Sequence, residues 1–202
     1  MANNNIFSLP KLGKFLNNRS EAIEGLNFKP LLIGDPAPQF SKNALVGEEF
    51  RNIALSDFFG KWVVLFFWPR DFTFVCPTEI KDFNAHLENF KQLNAVIVGA
   101  SCDSTYVHRA WVKADLGQIN FPLLADENHF LARAYNVLLE KEGIALRGTF
   151  IIDPDGILKY SVVSDLNVGR SVKEILRVLS ALQTGELCPA SWEQGQQTLG
   201  QA

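Results

Sequence analysis

From Trp62 to Trp68 the chain reads WVVLFFW, and it runs straight into PRDFTFVCPTE, Pro69 to Glu79. An apolar run of that length and aromatic content is the pattern of a strand buried on both faces. Pro77 has the fixed backbone angle and missing donor suited to a first helical position. The spacing therefore predicts a strand, a short loop and a helix, with Cys76 at the helix N-terminus. Free backbone N–H groups and the positive end of the helix dipole favour thiolate over thiol there, and the thiolate is the nucleophile. An inert core cysteine would need none of the Thr, Asp and Glu crowded around this one.

The chain has 202 residues, 47% of them apolar, which is enough to bury a real core as one domain with short appendages. A net charge of −3 offers no field for nucleic acid, and no interleaved basic and aromatic cluster would bind it. No stretch approaches the roughly 18 consecutive apolar residues of a membrane span, and no secretory signal pattern opens the chain. A cytoplasmic location is expected. Three cysteines, an odd number, argue against a disulfide scaffold and for intracellular redox chemistry. Cys and His spacings of the zinc kind are absent, so no metal is expected.

Residues 1 to 30 are Asn-rich, broken by Pro10, Gly13, Gly25 and Pro30, and read as an N-terminal extension. Their first nineteen residues carry Lys11, Lys14 and Arg19 without an acid, but the Arg content is low for a transit peptide and an arm fits better. Residues 31–202 read as one domain. Strands are predicted at 61–68, 95–101 and 121–125, alternating with helices at about 77–93, 104–116 and 127–136. In the first helix Ile80, Phe83, Leu87 and Phe90 recur at steps of three and four, and Ala95 to Ala100 is a continuous small-apolar run. GTFIID, the turn Pro154-Asp155-Gly156 and ILKYSVV form a hairpin. A helix at 171–183 follows, capped by Ser171 and ended by Gly185, with Val172, Ile175, Leu179 and Leu182 on one stripe. The order predicts an α/β fold with a mixed sheet flanked by helices.

Pro69, Thr73 and Cys76 are spaced four and three apart, which suggests one pocket, with the Thr73 hydroxyl beside the sulfur and Pro69 walling it from water. FFWPRDFTFVCPTEI resembles the P-x-x-x-T-x-x-C signature of the typical two-cysteine peroxiredoxins of the alkyl hydroperoxide reductase type. Further similar segments are IGDPAPQF, SCDSTYVHRAW, FPLLAD, RGTFIIDPDG, VGRS and ELCPASW, so the resemblance covers residues 33 to 199. It implies a thioredoxin-like fold and a thiol peroxidase acting on hydrogen peroxide and organic hydroperoxides. Carried over by position, Cys76 is the peroxidatic cysteine, Thr73 and Arg147 hold peroxide and thiolate, and Pro69 is the shield. Cys188 is the resolving cysteine, and Glu79 and Arg170 steady the active-site arginine. The resemblance also implies a homodimer and allows a decamer.

The chemistry agrees with that assignment. Attack of a thiolate on a peroxide oxygen drives negative charge onto the leaving oxygen, and Arg147 suits the duty of holding it with a rigid fork of donors that stays charged. The same charge favours the thiolate. The resulting sulfenic acid condenses with another thiol, and Cys188 lies in a turn-like stretch between Gly185 and Pro189. The disulfide then needs an external dithiol reductant, thioredoxin-like or a dedicated flavoprotein system, because the chain has no Cys-x-x-Cys and no glycine-rich nucleotide fingerprint. No cofactor is implied. The same fold and cysteines would also serve a holdase chaperone or a redox relay.

Cys102 reads as a buried small hydrophobe, and His108 as a residue satisfying a local hydrogen bond. His86 and His129 read as solvent-facing, without acidic neighbours at ligand spacing, and the four tryptophans as packing or interface anchors. Two elements of the family's eukaryotic members are missing. Between Trp111 and Pro122 there is a single glycine, and the fourteen residues after Cys188 contain no Tyr or Phe. In the family those elements slow active-site unfolding, so their absence implies a robust scavenger more than a peroxide-gated switch.

Overall fold

The computed structural model describes residues 30–201, and the expectation of an N-terminal arm falls on residues 1–29, outside them. In the unit Leu31–Ala202, seven of nine strands form one sheet in the order β2-β1-β5-β4-β3-β8-β9. The strands are β1 (Ser41–Val46), β2 (Glu49–Ala54), β3 (Trp62–Phe67), β4 (Ala95–Ser101), β5 (Leu123–Ala125), β8 (Arg147–Ile152) and β9 (Leu158–Ser164). β3, β4 and β5 are parallel, while β1 and β8 join them antiparallel. A separate two-stranded hairpin holds β6 (Leu138–Leu139) and β7 (Ile144–Ala145).

β3 shows why this sheet organises the molecule. Its side chains alternate, so Val64, Phe66 and Trp68 enter one core while Val63, Leu65 and Phe67 enter the other. On the first face lie α1 (Cys76–Ala85), α2 (Leu87–Gln92) and α5 (Val172–Thr184). Phe66 stacks on Phe83 with ring centroids 4.1 Å apart, and Ile80, Phe90, Ile175 and Leu179 complete the layer. The second core gathers Leu131, Ala132 and Tyr135 from α4 (Phe130–Ala134) and its exit. The mixed α/β sheet flanked by helices is thus present as expected.

The differences are local. The helix expected at 77–93 begins at Cys76, one residue early, so that Pro77 is its second residue, and it breaks at His86. There φ is −96° and ψ 10°, and ring Nδ1 lies 2.9 Å from the Asp82 carbonyl, intruding on the helical ladder. The expected stripe survives the break because α2 resumes one residue later. α3 (Thr105–Trp111), capped by the Ser104 hydroxyl, passes into a π turn over Val112–Leu116 that Gly117 closes with φ +74°. α4 is shorter than the expected 127–136, because residue 129 adopts φ +58° and the Asp126 carboxylate takes the N–H groups of Leu131 and Ala132. The β1–β2 and β6–β7 hairpins are absent from the sequence reading. In α5 the Ser171 hydroxyl accepts from the Glu174 N–H, and Gly185 ends the helix in the left-handed region.

Candidate active site

Cys76 opens α1 at the C-terminal end of β3, where parallel strands of an open sheet leave a crevice. The loop that delivers it is tied at both ends. Trp68 N–H donates to the Ala100 carbonyl at 3.1 Å, and the N–H groups of Thr78 and Glu79 both reach the Val75 carbonyl. Between these ties Phe72 takes φ +55°, a strained conformation for a bulky side chain. Cys76 itself is 1% exposed.

Arg147, the first residue of β8, brings its Nη1 to 3.4 Å from the Cys76 sulfur. The same Nη1 donates to Glu79 Oε2 at 2.6 Å, and Nε donates to the Leu166 carbonyl at 2.9 Å. Glu79 stands three residues after Cys76, on the same helical face. Arg170 completes the cluster. Its backbone N–H and Nε reach Glu79 Oε1, both at 2.8 Å, and its Nη2 reaches Oε2 at 2.9 Å. Its Nη1 donates to the Phe67 and Gly148 carbonyls at 2.7 and 2.8 Å. Two guanidinium groups therefore share one buried carboxylate, which leaves a net positive charge beside the sulfur. Burial pulls the Arg170 guanidinium below its usual range, and the Glu79 carboxylate pushes it back. Arg170 also lies over the Phe66 ring at 5.1 Å, a contact that suits a weakly hydrated cation.

The structure thus brings Cys76, Glu79, Arg147 and Arg170 together. Pro69 is buried in the same loop. The Thr73 hydroxyl donates to the Arg70 carbonyl at 3.0 Å, within the loop. Cys188 lies past the end of α5, half-buried, its sulfur 3.5 Å from the Thr184 hydroxyl and 3.8 Å from the Ala181 carbonyl. The segment around it is closed by backbone bonds between Leu187 and both Leu199 and Gly200, and by the buried Trp192.

Three secondary readings change. Cys102 is half-buried, not buried, and its thiol is pushed up to about 12, first by desolvation and then by the charges of Asp126 and Asp103. His86 has an acidic neighbour after all, since Nδ1 lies 3.2 Å from Asp82 Oδ1. The His108 ring bonds to residues far from it along the chain. It is fully buried, with Nδ1 2.7 Å from Asp71 Oδ2 and Nε2 3.1 Å from the Leu124 carbonyl. The pairing of Asp71 in the site loop with His108 on α3 is what sequence reasoning missed. The one signal was a carboxylate set among the aromatic residues of WPRDFTF. No group of three or more potential metal ligands occurs among the described residues.

The AhpC/TSA family pattern matches residues 33–161. The chain is 52% identical over 176 residues to peroxiredoxin prdx-2 of Caenorhabditis elegans, covering 83% of this chain and 88% of that one. The chain belongs to the AhpC/TSA family of peroxiredoxins. A thioredoxin peroxidase of Fasciola hepatica is 50% identical over 173 residues, covering 81% of this chain and 89% of its own. Among solved structures, the reduced 2-Cys peroxiredoxin of Plasmodium vivax superposes with a TM-score of 0.81 at 39% identity, over 83% of this chain and 92% of that one. The Mycobacterium tuberculosis AhpC gives 0.75 at 40% identity, over 82% and 100%. The fold is therefore thioredoxin-like, and this peroxiredoxin is a thiol-dependent peroxidase.

Proposed function

We propose that Cys76 is the sulfur that attacks the peroxide and that Cys188 of a second subunit resolves the product. The observation that carries the reading is the Arg147 guanidinium 3.4 Å from the Cys76 sulfur at the opening of α1. The thiolate attacks one oxygen of a hydroperoxide, the oxygen–oxygen bond breaks, and the leaving oxygen departs as hydroxide or alkoxide to take up a proton. Sulfur is oxidised to sulfenic acid and the peroxide is reduced to water or alcohol. Arg147, its orientation set by Glu79 and the Leu166 carbonyl, supplies a charged donor where that oxygen gathers charge. Thr73 and Pro69 line the approach.

Cys188 then displaces the sulfenic hydroxyl as water and forms a disulfide. A disulfide needs its sulfurs about 2 Å apart. Cys76 is buried against Arg147 while Cys188 rests against Thr184 and Ala181, so the first turn of α1 must open for the second step. An external dithiol restores both thiols by exchange and leaves as a disulfide. A thioredoxin-type donor suits the role, as the name of the Fasciola relative indicates. The unit we propose is a homodimer, with assembly to a decamer compatible with it, working in the cytoplasm where dithiol donors are kept reduced.

Non-reducing electrophoresis after one equivalent of peroxide tests the reading. A covalent dimer that Cys188→Ser abolishes is expected, and an unchanged monomer band would contradict resolution between subunits. Wild-type peroxide consumption by Cys76→Ser would remove the assigned nucleophile.

A further inference from the structure

Arg70 follows the buried Pro69 and opens the stretch of loop that carries Thr73 and Cys76. Toward β4 this loop is held by the Trp68 N–H on the Ala100 carbonyl and the Asp71 N–H on Asp103 Oδ2 at 2.9 Å. Toward the small hairpin, Arg70 Nη2 donates to the Glu142 carbonyl at 3.0 Å, in the turn between β6 and β7. The mechanism proposed above leaves this guanidinium without a part.

An arginine on an exposed loop is ordinarily a solvated charge, and two observations set this one apart. The first is that its partner is a main-chain carbonyl on a braced hairpin. β6 and β7 pair through Leu138 with Ala145 and Leu139 with Ile144, and the N–H groups of Glu142 and Gly143 both reach the Leu139 carbonyl. Glu140 receives Arg133 on both oxygens, at 2.7 and 2.9 Å, and the Leu146 N–H donates to the Val137 carbonyl at 2.7 Å. This braced segment runs directly into Arg147. The second observation is that the Arg70 carbonyl accepts the Thr73 hydroxyl at 3.0 Å. A hydroxyl has one hydrogen, so Thr73 turns only lone pairs toward a substrate, in a direction that the Arg70 carbonyl sets.

We propose that Arg70 is a positioning residue that fixes the Thr73 hydroxyl relative to Arg147 on the approach to Cys76. Its side chain ties to the hairpin that leads into Arg147, and its main chain ties to Thr73, so one residue joins the two polar groups that receive the hydroperoxide. Thr73 then accepts from the O–H of the attacked oxygen while Arg147 donates to the oxygen that leaves. The proposal rests on the roles given above to Cys76, Thr73 and Arg147. Burial pushes the Cys102 thiol up and the Arg70 charge works against that push, which agrees with a guanidinium lying by the end of β4.

A double-mutant cycle on the rate constant for oxidation of Cys76 by hydrogen peroxide tests the assignment, with Arg70→Ala, Arg70→Lys and Thr73→Val. Arg70→Ala should lower the constant about tenfold, and Arg70→Lys, which keeps a charged donor for one carbonyl, should stay within about threefold of wild type. In a Thr73→Val protein there is no hydroxyl to direct, so adding Arg70→Ala should cost less than about twofold more. Alkylation of Cys76 by iodoacetamide needs the sulfur but not Thr73, and Arg70→Ala should alkylate within about twofold of wild type. An Arg70 that merely stabilised the loop would cost the same with and without the Thr73 hydroxyl, or slow alkylation as much as oxidation. Either result overturns the proposal, and so does an Arg70→Ala protein that oxidises at the wild-type rate. A wild-type Cys76 that alkylates yet leaves peroxide unreduced would sink the proposed function, and the role of Arg70 with it.

Discussion

Two arginines share the Glu79 carboxylate, yet the geometry gives them different work, and replacing each by glutamine separates the two. Arg147→Gln removes the donor 3.4 Å from the sulfur but leaves Glu79 three contacts with Arg170. The stability cost is then that of two lost charge-assisted bonds, to Glu79 and to the Leu166 carbonyl, about 1.5–3 kcal/mol each. The kinetic cost is read separately, because a donor aimed at developing charge is worth a factor of about 10² to 10³ in rate. Arg170→Gln leaves that donor in place. It strips the donor from the Phe67 and Gly148 carbonyls and leaves the buried Glu79 with Arg147 and the backbone N–H of residue 170, a cost of about 3–5 kcal/mol. Stopped-flow tryptophan fluorescence of a single peroxide turnover reads the first effect, and urea unfolding at fixed protein concentration reads the second. An Arg147→Gln protein that oxidised Cys76 within about threefold of the wild-type rate would refute a charged donor at the reacting oxygen.

Three further outcomes follow from the packing. With its thiol pushed up to about 12, Cys102 is thiolate in roughly one molecule in 10⁴ at pH 8, so iodoacetamide should label it about a thousandfold more slowly in the native protein than in urea, by peptide mass spectrometry. A Cβ at Gly99 would lie 2.8 Å from the Trp68 ring and 3.0 Å from that of Phe66, two side chains with nowhere to move, and Gly99→Ala should lower stability by about 1–3 kcal/mol in urea unfolding. Ser171→Ala removes the hydroxyl that caps α5 and should cost about 1 kcal/mol in the same measurement, with the oxidation rate of Cys76 retained.

How far the site could be read in advance follows sequence distance. Glu79 stands one helical turn from Cys76, so their shared face is a consequence of helical spacing. Arg147 and Arg170 lie 71 and 94 residues from Cys76, and the peroxiredoxin likeness placed them before any geometry did. Asp71 and His108 are 37 residues apart and carried no pattern, and one local cue pointed the wrong way, since His108 stands on a helix where a nearby partner is the ordinary expectation. The break at His86 was hidden for a related reason. The apolar stripe from Ile80 to Phe90 continues across it, and periodicity reports which face is buried, not whether the ladder is intact.

Residue order alone determined the strand that buries both faces, the helix that opens at the cysteine, the hairpin at 147–164 and the capped final helix. Each depends on neighbours within a few positions, where backbone angles and side-chain period act directly. Only the folded chain decided that two cations and a carboxylate meet beside the sulfur, and that a histidine from a distant helix grips the loop. Those contacts join segments brought together by sheet order, and burial in a space that excludes water is what gives their charges and protons force.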